Sequence, residues 1–122
     1  VKARPIVAAT FILALGTVPA LADGDAEHGK TVFNACAPCH SAEEGVNKLG
    51  PSLFGIVGHP TASAAGFHYT PALSAFNKTW TPELLDQWLQ GPQKLVSGSS
   101  MFVAVSSAQD RADLIAYLAT LK

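Results

Sequence analysis

A chain of 122 residues with 48% hydrophobic residues and a formal net charge of −1 is long enough for one domain. No basic patch runs through it, which argues against nucleic acid as a partner. With only two cysteines, and histidines that form no second paired cluster, a closed structural zinc site is disfavoured.

The N-terminus reads as a secretory signal peptide over 1–22. Lys2 and Arg4 give a short basic start, Ile6 to Leu15 a mostly apolar run, and Ala20-Leu21-Ala22 a small-residue cleavage site. The run is too short for a comfortable membrane span; an uncleaved anchor is the competing reading. Cleavage after Ala22 would leave a domain of 100 residues, 23–122, with a net charge of −3. The expected location is the periplasm, with no stable membrane insertion of the mature chain.

Residues 24–35 read as an amphipathic helix capped by Asp23 or Asp25, with Glu27 at the positive end of the dipole. Gly29 weakens such a helix by roughly 1 kcal/mol against Ala, which a close helix crossing would justify. Gly29 and Phe33, four apart, share a face.

The helix leads into Cys36-Ala37-Pro38-Cys39-His40. Two cysteines two residues apart with histidine next form an attachment site for c-type haem. Each thiol adds across one porphyrin vinyl, and His40 can offer an imidazole nitrogen to the iron. A thioredoxin-like dithiol would share the Cys-x-x-Cys spacing, but it sits in a βαβ context that is missing here.

From Ser41 to Tyr69 glycine and proline punctuate an irregular stretch. A loop this long is at home in a small domain when it wraps a cofactor. Leu53, Phe54, Ile56, Val57 and Phe67 are its expected apolar contacts. Thr70-Pro71 and Thr81-Pro82 each place a cap residue before proline at the first helical position. The second of these helices presents Leu84, Leu85, Trp88 and Leu89 on one face and stops at Gly91-Pro92. Residues 97–100 read as a flexible turn. Ser107 caps a last helix, with Asp110 in the manner of a capping box and Leu114, Tyr117, Leu118 and Leu121 at helical spacing. Asp110 and Asp113 near its start suit the dipole. The expected class is all-α with long loops.

Met101 is the only methionine and stands 61 residues beyond His40. A thioether opposite the histidine would raise the reduction potential and close the iron to other ligands. The alternatives are a core methionine, or His59 or His68 as the second ligand.

Gly29-x-x-x-Phe33, the haem motif, Gly50-Pro51, Gly66-Phe67-His68-Tyr69-Thr70, Trp80, Met101 and Arg111 to Leu118 together resemble the class I c-type cytochromes, of the small bacterial kind close to mitochondrial cytochrome c. The likeness covers nearly all of 24–121. It implies the cytochrome c fold, with first and last helices crossing (Gly29 and Phe33 on Leu114 and Tyr117) and one haem c bound to Cys36 and Cys39 and ligated by His40 and Met101. It further implies a Pro51 carbonyl on His40 Nδ1, and Tyr69 and Trp80 donating to a haem propionate. Ser99 is a further candidate for a propionate. His59 stands where the family usually has arginine near that group, and could make the potential depend on pH. Trp88 and Leu73 replace a tyrosine and an asparagine near the methionine. Lys94 remains of the family's lysine ring, while Gln93 and Ser100 replace two others.

The implied function is one-electron transfer by a monomer that docks briefly, through the haem edge, on redox protein partners: a reductase and an oxidase, dehydrogenase or photosynthetic centre. The competing class is an enzyme, a haem peroxidase or gas-binding cytochrome, which needs a displaceable sixth ligand. A dedicated subunit of one dehydrogenase complex is a third reading.

Overall fold

The computed structural model describes residues 2–14, 16 and 23–122. The expected cleavage site lies outside these residues. Residues 2–14 form no regular secondary structure, and Ile6, Val7, Phe11, Ile12 and Leu13 are exposed. No helix among the described residues is long and apolar enough to cross a membrane.

The fold of 23–122 is all-α. Five helices follow in order: α1 (Ala26–Val32), α2 (Pro71–Phe76), α3 (Pro82–Gln90), α4 (Pro92–Leu95) and α5 (Ala108–Ala119), with a 3-10 turn at Phe33–Ala35 closing α1. An isolated bridge between Pro60 and Thr79 is the one β pairing among the described residues.

Local chemistry sets most of the helix starts. The side chains of Asp25, Thr70, Thr81 and Ser107 each accept a backbone N–H from the first turn of the helix they precede. Proline follows at the first position of α2 and α3, where its missing N–H costs nothing. α3 stops at Gly91, as its sequence predicts, and by the same rule Pro92 opens a further short helix, α4, that the sequence does not signal.

The core forms where α1 crosses α5. A methyl group on Gly29 would run into the Asp113 carbonyl and stand 2.8 Å from Tyr117 Cβ, so only glycine permits this crossing. One turn on, Phe33 meets Tyr117 with ring centroids 5.5 Å apart. Gly24 makes a similar approach to the Ala112 carbonyl. Leu114, Ile115 and Leu118 from α5 and Leu85, Trp88 and Leu89 from α3 are buried with Phe33, and Cys36, Trp80 and Val96 from the connecting segments join them.

The 41–69 stretch is irregular yet heavily tied. Ser52 Oγ donates to the Glu43 carbonyl at 2.5 Å, Asn47 Nδ2 to Ala65 O at 2.9 Å, and the Gly55 N–H to Leu121 O at 2.7 Å. These bonds replace the ladder that a helix or sheet would supply.

Candidate functional site

The 3-10 turn carries the chain from the α1–α5 crossing straight into Cys36, so both cysteines hang from the most tightly packed part of the fold. The Cys39 and His40 N–H groups donate back to the Cys36 carbonyl at 3.0 and 2.9 Å, closing the motif into one turn. Cys36, Cys39 and His40 then line a cavity of about 370 Å³, a volume typical of small-molecule and cofactor sites.

The cavity walls are mostly aliphatic and aromatic. Leu85, Trp88 and Leu89 come from α3, Leu114 and Leu118 from α5, and Leu73 from α2. The 41–69 stretch adds Leu49, Leu53, Ile56 and Phe67; Phe54 and Val57, also expected as contacts, do not line it. Met101, Phe102 and Val103 come from the segment before α5.

His40 is held from two directions. Its Nδ1 donates to the Pro51 carbonyl at 2.7 Å, which leaves Nε2 as the nitrogen with a free lone pair. Gly50 presses against the ring, and any Cβ there would stand 2.8 Å from Nδ1. Burial holds the imidazole below its usual titration range, against the Pro51 bond. The ring is therefore neutral at neutral pH, as a metal ligand must be.

The cysteines do not look like a redox dithiol. Burial, and then Cys39 nearby, push the Cys36 thiol up, whereas a reactive thiol needs the opposite. They also follow a helix end rather than open a helix. Among the described residues, no cluster of three or more ligating side chains includes either cysteine, which leaves a zinc centre without its ligands.

The remaining polar groups are few and specific. Ser99 is buried and its Oγ has no hydrogen-bond partner. A buried hydroxyl with no partner costs about 1–3 kcal/mol, so one aimed into a cavity fits a polar group of a bound cofactor. The fold positions it firmly: Gln93 Nε2 donates to the Ser99 carbonyl at 2.7 Å. The turn read as flexible thus carries a buried residue. Tyr69 Oη accepts the Ala64 N–H at 2.9 Å, leaving its own proton free to donate. Burial pushes that phenol up, so the proton stays in place. Trp80 is buried and packs edge-on against Trp88, centroids 5.3 Å apart.

The fold therefore brings Cys36, Cys39, His40, Pro51, Tyr69, Trp80, Ser99 and Met101 to one cavity. His59 is not among its lining residues. That side chain is exposed over Gly55, while its backbone binds Trp80 and Ile56. His68 is likewise exposed and off the cavity.

One polar centre escaped the sequence reading. Asp113, taken there as a dipole residue, is 3% exposed at the α1–α5 seam. Its carboxylate accepts the Asp25 N–H at 2.8 Å, Gln109 Nε2 at 2.9 Å and His28 Nδ1 at 2.6 Å. The partners on α1 lie 88 and 85 residues away in the chain, and no local pattern signals such a pairing.

Comparison with known proteins gives a consistent result. A family model described as Cytochrome c matches residues 26–122. Cytochrome c of Euglena viridis is 41% identical over 101 residues, covering 81% of this chain and 99% of that one. Cytochrome c2 of Rhodopila globiformis is 42% identical over 101 residues, covering 81% and 95%. Among solved structures, cytochrome cH from Methylobacterium extorquens superposes with a TM-score of 0.75 at 39% identity, over 80% of this chain and 99% of that one.

Proposed function

Because the chain belongs to the cytochrome c family, whose members carry one covalently attached haem c, we propose that it is a one-electron carrier whose haem is anchored by Cys36 and Cys39 and ligated by His40 and Met101. The single observation that carries this reading is one apolar cavity bearing two thiols, a neutral oriented imidazole and the chain's only methionine. When bound, the haem supplies an iron that changes oxidation state by one electron.

The chain's residues do the rest. Cys36 and Cys39 supply the two thioether sulfurs. Pro51 fixes the tautomer and orientation of His40, and makes the ring a better donor to iron. Met101, which lines the same cavity, would supply the second ligand to the iron, and such ligation favours electron transfer over substrate binding at the metal. Leu73, Trp88 and Leu89 contribute to the apolar lining that would keep water from the iron. Ser99, Tyr69 and Trp80 offer hydrogen bonds to the carboxylates that the haem would bring indoors.

The rim of the cavity suits brief docking. Within 23–122 the exposed large hydrophobics are Val46, Leu49, Phe102 and Val103, and the last three line the cavity. Exposed apolar side chains that also line the cavity fit a redox protein partner that touches the edge and leaves. The periplasm is the proposed compartment, reached with the 1–22 leader.

The test is spectroscopic. The purified holoprotein is expected to keep its haem after denaturation and to show the weak red absorption band of methionine-ligated ferric iron. Met101→Leu should lose that band and lower the reduction potential. A high-spin ferric spectrum in the native protein would instead favour the peroxidase or gas-binding alternative.

A further inference from the structure

The Asp113 centre binds the start of α1 to α5, and one of its three partners can change charge near neutral pH. His28 lies on α1 with its side chain 50% exposed, while the Asp113 side chain is 4% exposed. The ion pair at 2.6 Å therefore joins a nearly buried carboxylate to an imidazole that solvent protons reach freely. Every charged group facing His28 is acidic: Asp113 and Asp110 from α5, and Asp25 at the cap of its own helix. The hydrogen bond that His28 donates to the Asp113 carboxylate leads in raising the His28 titration above its ordinary value.

We propose that His28 is a pH-sensitive clasp that holds α1 against α5 when protonated and loosens when it loses its proton. With His28 charged, Asp113 carries a full opposite charge in addition to the Asp25 and Gln109 bonds. With His28 neutral, its Nδ1–H can still donate, but the buried anion then faces neutral donors only and the opposite charge is gone. The direction follows from linkage. A group whose folded titration lies above its unfolded one stabilises fully below the unfolded value, and that contribution is lost as pH rises through the folded value. The seam is thus tightest at mildly acidic pH and weakens on the alkaline side. Cys36 follows α1 by one turn, so the clasp sits at the N-terminal anchor of the cavity wall, away from the metal ligands.

The experiment uses the reduced holoprotein. Amide hydrogen exchange of Gly29 to Phe33, corrected for intrinsic rates, is measured from pH 6 to pH 9, together with the His28 titration by NMR. Protection of these amides is expected to fall by about tenfold for each pH unit separating the folded and unfolded His28 titrations. His28→Gln, which keeps a donor but not the charge, should make the protection independent of pH. His28→Lys should keep it high up to more alkaline pH. Protection that does not change with pH in the native protein would overturn the proposal. So would a pH dependence that survives His28→Gln, or a His28 titration at or below 6.5.

Discussion

At the scale of the residue, the fold depends on a few glycines placed where another chain segment passes too close for a side chain. Gly29 is the sharpest case, because both neighbours in the crossing are fixed: a helix carbonyl and the Tyr117 Cβ. Gly29→Ala is expected to cost about 3 kcal/mol in chemical denaturation, the upper part of the range for overpacking. Gly24→Ala meets a similar obstacle, and the chain can move aside there only by disturbing the Asp25 N–H bond to Asp113, so a loss of about 1–3 kcal/mol is expected. His59 tests a different kind of residue argument. Its place in a family pattern suggested coupling to the cofactor, but an exposed ring outside the cavity lining acts through solvent, where charges are strongly screened. His59→Gln is therefore expected to leave the dependence of reduction potential on pH nearly unchanged, as redox titration from pH 5 to 8 would show.

Helices in this chain are short, and what holds them is tertiary. The six-residue α2 buries none of its residues fully, and α4 has four residues in all. Their caps and prolines tell the chain where to turn, but isolated helices of this length are not stable in water. The connection between α3 and α5 shows how the deficit is met. Arg111 Nε donates to Asp86 on α3 at 2.8 Å, and its Nη1 donates to the Val105 and Ser106 carbonyls at 2.9 and 3.0 Å. The Val105 N–H in turn binds the Leu89 carbonyl at 2.7 Å. One guanidinium thereby pins the segment between Met101 and α5 onto the helix that forms a cavity wall. Lysine keeps the charge but cannot present the same fork. Arg111→Lys is expected to destabilise by about 1–2 kcal/mol. It should also weaken the red absorption band, because the segment bearing Met101 loses its tether.

The whole molecule is built around a space that its own side chains do not fill. Most of the core residues that α3 and α5 contribute also face the cavity. A chain lacking its cofactor has no apolar plate for those residues to pack on. The cofactor-free protein, made as Cys36→Ser/Cys39→Ser, is expected to lose most of its cooperative thermal transition and near-UV circular dichroism. Charge adds a second expectation at this scale. The domain 23–122 carries −3, and the cavity rim is apolar rather than ringed with lysine. Electron transfer with a partner should then show only weak dependence on ionic strength in stopped-flow measurements; a steep fall with salt would mean that charge steers the encounter. Acid should act at the α1–α5 seam as well. The Asp25 N–H, Gln109 and His28 hold the Asp113 carboxyl below its usual range. The stability this supplies is present above that range and is lost as pH falls through the folded value.

The sequence by itself determined the chemistry and the grammar of the chain. The spacing of Cys36, Cys39 and His40, the lone Met101, the Thr-Pro helix starts and the apolar faces of α3 and α5 are local patterns, legible because each follows from covalent reach or helical period. Only the tertiary structure decided which distant groups meet. It placed the orphaned Ser99 hydroxyl in the cavity wall, left His59 outside it, added the short helix α4 after the stop at Gly91, and buried Asp113 beneath the beginning of α1. Such contacts join residues tens of positions apart, where no periodicity operates. They are fixed by which surfaces close over one another when the chain wraps its cavity.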